Sequence, residues 1–265
     1  MIDLNEVRVS AGTGVHFSRQ HLQKLIYLYK SMASGVVCNA QGKTIQFGHQ
    51  IKKIREAHAA EDKLMVSKLK EKLYAFTVSG TFAVGSRKKD GLIVHSGRIQ
   101  ADFDHIGFNT AEWLKHQLAK DPHCEFAAIS PSGDGLKAII LIPPCKTNVE
   151  QHKAFDAVQN YTKQRYNQEL DSSCRDITRL MFMTHDPNAY IANSPKKPLN
   201  IEDWLPRTTE TENSSRKRSG NSAEQILSKA VSQILNAIDG ERHEMRRNQA
   251  RLIGGYVASG ALDES

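Results

Sequence analysis

The sequence predicts an α+β fold: a body built on a mostly antiparallel sheet flanked by helices, followed by a small helical appendage. Three observations point there. Short apolar runs of strand length alternate with longer stretches of helical period. The two clearest runs, Phe126–Ser130 and Leu136–Ile142, flank Pro131-Ser132-Gly133-Asp134-Gly135, a hairpin signal that joins neighbours antiparallel. From Asn193 to about Asn221 the chain turns polar and Pro-rich before becoming helical again, which sets the appendage apart.

The elements follow in order. Residues 18–33 place Leu22, Leu25, Ile26, Leu28 and Tyr29 on roughly one helical face. Residues 48–73 are highly charged, with Ile51, Ile54, Leu64, Val66, Leu69 and Leu73 at helical spacing, and predict one or two surface helices. Phe76–Phe82 reads as a strand running into a turn, and Ser86–Gly91 as a basic loop. Strands are predicted at Leu92–Val94 and Ile99–Asp104 around His95-Ser96-Gly97, then a helix over Thr110–Leu118 capped by Thr110. After the hairpin come a helix over 150–168 and an apolar strand at Ile177–Met183. These divide the chain into a body at 1–205, a linker at 206–222 and a helical segment at 223–265. Within the body, 1–75 form an α/β flank and 76–205 the motif-bearing sheet. In the tail, Ile226, Leu227, Ala230, Val231, Ile234, Leu235 and Ile238 form a stripe ended by Asp239-Gly240. A second helix there carries Leu252, Ile253, Tyr256 and Val257.

Bulk composition narrows the class. The net charge is +7 over 265 residues. The tail from Pro206 on has nine basic and eight acidic residues, so the excess belongs to the body and suits a polyanionic partner. No apolar run approaches membrane-spanning length and no secretory signal opens the chain, so no membrane role and a cytoplasmic setting are expected. Cys38, Cys124, Cys145 and Cys174 stand singly, without zinc-site spacing, and read as small buried hydrophobes.

Three local patterns carry chemistry. Asp102-Phe103-Asp104 ends a predicted strand, where alternation turns both carboxylates the same way. Two like charges that close call for a cation between them, and a hard divalent ion is the usual solution. A solvated strand end is the alternative. Ser132, Gly133 and Gly135 allow close approach of backbone N–H groups to an anion, with Lys137 as a point charge; a plain hairpin turn is the alternative. Asp171 could complete a metal site, and Arg179, at the entry to a strand, has a planar fork that suits triphosphate oxygens; a surface ion pair of Asp176 with Arg175 or Arg179 is the alternative.

The order of these patterns resembles the archaeo-eukaryotic primase, or primase–polymerase, superfamily. The closer likeness is to its virulence-protein-E N-terminal, Bacteroides-type primase-like family. Phe76-Thr77-Val78-Ser79-Gly80-Thr81-Phe82, Ile129-Ser130-Pro131-Ser132-Gly133 and the run Arg179 to Tyr190 match as well, so the likeness spans about 1–200. The tail, with Asp239-Gly240-Glu241-Arg242-His243, resembles the helical segment that follows such domains, after which a helicase often comes. The resemblance implies that Asp102, Asp104 and Asp171 are catalytic and hold Mg2+ or Mn2+ in a two-metal site. It implies that Ser132, Gly133, Gly135, Lys137, Arg175 and Arg179 contact the incoming NTP or dNTP. A single-stranded DNA template would lie on basic surface that includes Arg87, Lys88 and Lys89. One position departs from the pattern: Lys137 stands where the superfamily has a histidine.

The expected activity is therefore that of a metal-dependent DNA primase/polymerase serving DNA replication of a bacterial or mobile-element replicon. The alternative is a non-catalytic nucleotide- or single-stranded-DNA-binding module that recruits a helicase, which the lysine favours. A metal-dependent nuclease on the same aspartates is a third, more distant class.

Overall fold

A computed structural model describes residues 4–14, 18–39, 41–84 and 87–205. The chain divides into two units, Met1–Arg207 and Thr208–Ser265. The linker expected at 206–222 and the helices expected at 223–265 lie outside the described residues.

The described chain opens with strands β1 (Arg8–Thr13) and β2 (Ser18–Lys24), then helix α1 (Leu25–Ser34). A small hairpin, β3 (Val36–Cys38) and β4 (Thr44–Gln46), leads to helices α2 (Gly48–Ala59) and α3 (Lys63–Lys70). Strands β5 (Tyr74–Thr77), β6 (Gly80–Phe82), β7 (Leu92–His95) and β8 (Arg98–Phe103) follow, then helix α4 (Phe108–Ala119). Next come β9 (Cys124–Ile129), β10 (Leu136–Leu141), the long helix α5 (Asn148–Tyr166), β11 (Leu180–Phe182) and β12 (Tyr190–Ile191). Among the described residues, two four-stranded sheets form, in the orders β11-β5-β1-β2 and β12-β9-β10-β8, with pairs β3-β4 and β6-β7 beside them. The pairings are antiparallel, as the expected α+β class requires.

Strand alternation sorts the second sheet's two faces. Ile99, Ala101, Ala127, Ile129, Ala138 and Ile140 turn to one side and pack under Leu114 and Leu118 of α4 and Phe155 and Val158 of α5. Phe126, Ala128 and Ile139 turn to the other and enter a core with Val9, Phe76, Met181 and buried residues of α1 and α2. There the Phe126 ring stacks on Tyr29, centroids 4.5 Å apart. Asp102 and Lys137 lie on this second face, at the end of the sheet. The first sheet interleaves strands from 1–75 with β5 and β11, so the N-terminal flank is woven into the body.

Most predicted elements form, with three differences. Residues 18–24 are a strand and not the start of a helix, because β1 supplies a pairing partner from Arg8↔Lys24 to Thr13↔Ser18. Leu22, counted on the helical stripe, is half exposed, while Leu25, Leu28, Tyr29 and Met32 make the buried face. Helix α4 begins before Thr110, at Phe108, and has no side-chain cap. Gly107 at φ 77° turns the chain instead, and its N–H donates to the Asp134 carbonyl at 2.9 Å. The strand expected at Ile177–Met183 is confined to Leu180–Phe182. Asp176 holds the preceding residues in a turn by accepting from the Thr178 N–H (2.8 Å) and hydroxyl (2.7 Å). Helix α5 starts as Thr147 accepts from the Glu150 N–H at 3.2 Å while the Glu150 carboxylate accepts from the Lys146 N–H at 2.7 Å. No helix among the described residues is long and apolar enough to cross a membrane.

Candidate functional site

The site begins with a register. Strands β8 and β10 pair so that Lys137 lies directly opposite Asp102, and cross-strand neighbours of this kind touch. The hairpin is pinned there by Gly135: a Cβ at that position would sit 2.4 Å from the Phe103 carbonyl oxygen. The Lys137 ammonium donates to Asp102 Oδ2, and Gln100 Nε2 donates to the same oxygen at 3.3 Å. The side chains of Lys137 and Asp102 are 8% and 6% exposed, so this is a buried ion pair.

The third component arrives from the far end of α5. The Leu170 N–H donates to Gln159 Oε1 on that helix at 2.8 Å. The next N–H, of Asp171, donates to the Asp102 carbonyl at 2.8 Å, which ties the two acidic residues together through the backbone. Asp171 then caps a 3-10 turn over Ser172–Arg175 by accepting from the Ser173 N–H at 2.9 Å, and it also accepts from the Ser173 hydroxyl. Such a turn has three residues per revolution, so positions 171 and 174 fall on one side. One oxygen each of Asp102 and Asp171 and the Cys174 sulfur lie within 4.8 Å of one another.

Charge explains how these groups coexist. Burial alone would lower the Lys137 pKa, but the field and hydrogen bond of Asp102 reverse that and hold it above the ordinary value. Burial also opposes ionisation of Asp171, yet the hydrogen bonds from Ser173, with Arg179 and Lys137 nearby, bring its carboxyl below the usual range. Asp104 goes the other way: its partly desolvated position, then the Asp102 charge, push its carboxyl up. The Cys174 thiol is pushed up to about 12 by burial and then by Asp102. Among the described residues, one carboxylate oxygen, Asp102 Oδ1, is buried with no hydrogen-bond partner, as is Gln100 Oε1. A buried acceptor left unmade costs about 1–3 kcal/mol, and more when charged. The donor set of two carboxylates with one unclaimed oxygen therefore fits a divalent cation.

The predicted site residues separate into those that converge here and those that do not. Asp102, Asp171 and Lys137 converge, and Arg179 joins them, its Nη2 3.4 Å from Asp171 Oδ2. Asp104 lies just beyond β8, exposed and outside the donor cluster, coupled to it only through the field. Arg175 turns away to pair with Asp156 of α5. Ser132 is buried and donates to Asp134 Oδ1 at 2.6 Å. Asp134 also meets His58 at 3.2 Å and His105 at 2.9 Å, so the hairpin loop is organised around that carboxylate. Its glycine N–H groups are engaged within the loop: Gly133 donates to the Ser130 carbonyl at 3.0 Å and Gly135 to the Ser130 hydroxyl at 3.2 Å. Arg87 donates to the Thr178 carbonyl at 2.9 Å and Lys89 pairs with Asp176 at 3.2 Å, which anchors the basic loop to the turn before Arg179. Lys88 stays exposed.

Three participants escape the sequence reading. Cys174 was grouped with the buried hydrophobes, although its place three residues after Asp171 is a usable signal. Gln100 shares a strand face with Asp102, two positions earlier. Lys70, at the end of α3, is partly buried within the fields of Lys137, Asp104, Asp134 and Asp102, and only the tertiary fold brings it there.

Residues 68–191 match the family model of the BT4734-like N-terminal domain, a Bacteroides primase-like domain family. The matched region takes in Lys70, Asp102, Lys137, Asp171, Cys174 and Arg179 and leaves out β1, β2, α1 and α2. No curated protein and no solved structure matches the chain.

Proposed function

We propose that the body is a metal-dependent nucleotidyltransferase of the DNA primase–polymerase type, using NTPs or dNTPs on a single-stranded DNA template. The observation that carries this reading is the convergence of Asp102 and Asp171 from separate elements, with a buried carboxylate oxygen unclaimed and Lys137 and Arg179 beside it. The match of 68–191 to a primase-like family supports it. Asp102 and Asp171 would hold Mg2+ or Mn2+, with Asp104 adding negative charge at the mouth. A cation bound there supplies activation of an attacking hydroxyl and stabilisation of a leaving pyrophosphate. Arg179 is half exposed, and among the described residues its guanidinium has one ion pair, the 3.4 Å contact with Asp171, so its fork can turn onto a triphosphate. Lys137 stays behind Asp102, fixing the carboxylate's orientation. The setting that goes with this activity is cytoplasmic replication of a bacterial or mobile-element replicon, with a helicase as partner.

The test is primer synthesis on single-stranded DNA with magnesium or manganese. Asp171→Ala is the informative variant, because its side chain is only partly buried and the fold should survive. Loss of product with an unchanged circular dichroism spectrum is expected; undiminished synthesis removes Asp171 from the machinery.

A second reading has its own observation. The buried Lys137 ammonium already neutralises Asp102, which suits a non-catalytic module that binds nucleotide or single-stranded DNA and recruits a helicase. Such a module shows salt-sensitive DNA affinity without metal-dependent triphosphate binding.

A further inference from the structure

The cleft contains a sulfur that the proposed chemistry does not use. Cys174 is 1% exposed and sits in the same turn as Asp171, its Sγ within 4.8 Å of carboxylate oxygens of both Asp171 and Asp102. The thiols of Cys38, Cys124 and Cys145 each have an oxygen partner: the Gly42, Phe126 and Pro143 carbonyls at 3.6, 3.3 and 3.7 Å. Among the described residues, the Cys174 thiol has no such hydrogen bond, although its backbone N–H donates to the Asp171 carbonyl at 3.0 Å. Independently, Asp102 is 4% exposed, and its Oδ1 has no hydrogen-bond partner among the described residues while Oδ2 is engaged by Lys137 and Gln100. Two carboxylates, one of them carrying an unclaimed oxygen, thus meet a sulfur that no described group engages by a hydrogen bond.

We propose that Asp102, Asp171 and Cys174 form an O,O,S site that binds thiophilic divalent cations, zinc or cadmium, more tightly than magnesium. The inference rests on reading this cleft as a cation site and specifies which ions it prefers. Magnesium takes oxygen ligands in a near-ideal octahedron and keeps several of its waters, so a sulfur in its shell is a poor donor. Zinc takes carboxylate oxygen and cysteine sulfur together in four-coordinate sites, and thiolate softness selects it over hard ions. Binding forms a metal–sulfur bond as the S–H bond breaks, and the thiol proton leaves to solvent or buffer. Asp104, displaced beyond the strand end, is not required as a donor for this site. In a nucleotidyltransferase the consequence is occupancy by zinc that excludes the magnesium form, so trace zinc would act as an inhibitor.

The experiment uses the full chain. Cadmium chloride is titrated into reduced protein, and the ultraviolet thiolate-to-cadmium charge-transfer band is followed; zinc and magnesium affinities are measured by calorimetry. A saturable band is expected, with zinc bound more tightly than magnesium. Cys174→Ser should abolish the band although three cysteines remain, and should weaken zinc by roughly tenfold or more, since even losing an outer partner of a metal site costs that much. Asp171→Asn, on a partly exposed residue, should weaken zinc as well and gives a second arm if Cys174→Ser does not fold. Absence of a band in the unmodified protein, or a band of equal strength in Cys174→Ser, overturns the proposal. Metal-dependent primer synthesis by the unmodified protein is measured alongside. Synthesis without a cadmium band overturns only the O,O,S site, whereas a band without synthesis overturns only the polymerase reading.

Discussion

Replacing Lys137 by methionine asks which positive charge the cleft depends on. The two side chains of the pair are 8% and 6% exposed, so water screens them little. Removing one partner of such a pair costs about 3–5 kcal/mol, because the remaining charge is stranded. In Lys137→Met, Asp102 keeps one side-chain donor among the described residues, the Gln100 amide at 3.3 Å. A loss of that size moves a urea midpoint down by about 1–2 M for a body of this length. The second arm adds manganese after chelation of adventitious metal. A ligand that binds only the folded state stabilises it by about 2.7 kcal/mol at a hundredfold excess over Kd, enough to restore roughly half or more of the deficit. In the unmodified protein an added ion shares Asp102 with the ammonium, so the same concentration should stabilise it less than it stabilises the variant. The double variant Asp102→Asn with Lys137→Met strands no charge and should be more stable than Lys137→Met alone. A cost under about 1 kcal/mol, the range of an exposed pair, refutes the assignment of the pair as the cleft's internal neutraliser. A full cost with no response to manganese refutes the cation site.

Gly135→Ala should destabilise by about 2–3 kcal/mol or prevent folding, since its Cβ would meet the Phe103 carbonyl oxygen at 2.4 Å; thermal denaturation checks this. Arg98 is bidentate to Glu125 at 2.8 and 2.7 Å, and Tyr29 donates to the same carboxylate at 3.0 Å. With Arg98 and Glu125 buried, Arg98→Met should cost about 3–5 kcal/mol in urea denaturation. His95 is buried, its Nδ1 accepting from the Gly97 N–H and its Nε2 facing Gln151 Oε1, both at 3.0 Å, and burial lowers its pKa. The unfolded chain then binds the proton first, so stability is full above about pH 6.5, falls as pH drops below it, and levels off below the folded-state pKa. Melting temperatures measured across that range should show a shallower fall for His95→Gln.

The sequence disclosed what depends on neighbours along the chain. The hairpin at 126–142 was legible because two apolar runs bracket a Gly-rich turn, and α5 because Phe155, Val158, Tyr161 and Tyr166 recur on a helical face. It concealed what depends on distant partners. Residues 18–24 carry a pattern that fits a helix, and only pairing with β1 makes them a strand. That Lys137 lies opposite Asp102 follows from pairing two strands separated by the whole of α4 and β9, which no local pattern encodes. Asp104 was placed beside Asp102 by strand alternation; it falls one residue past the end of β8, exposed, within the field of Asp102 but outside the group of donors that lie within 4.8 Å of one another. Cys174 was missed because scattered cysteines are usually buried hydrophobes, and it is buried; what distinguishes it is the company it keeps.

The balance of charge in the cleft links the lysine to the choice between the two functional readings. Three carboxylates, Asp102, Asp104 and Asp171, share their fields with Lys137, Arg179 and Lys70. Fully ionised, the six groups cancel; the Asp104 carboxyl is pushed up first by partial burial and then by the Asp102 charge. A triphosphate approaching this neutral group gains little from long-range attraction. One divalent cation on Asp102 and Asp171 tips the sum to plus two, and the triphosphate is then drawn to the mouth where Arg179 stands. With a histidine at 137, neutral at physiological pH, the cleft would start one charge more negative and end less positive. On this argument the lysine spares the metal-free group a net negative charge, while the cation still supplies the two-charge step: affinity should rise steeply with metal, and in its absence the nucleotide should be held no better than by any weakly basic surface.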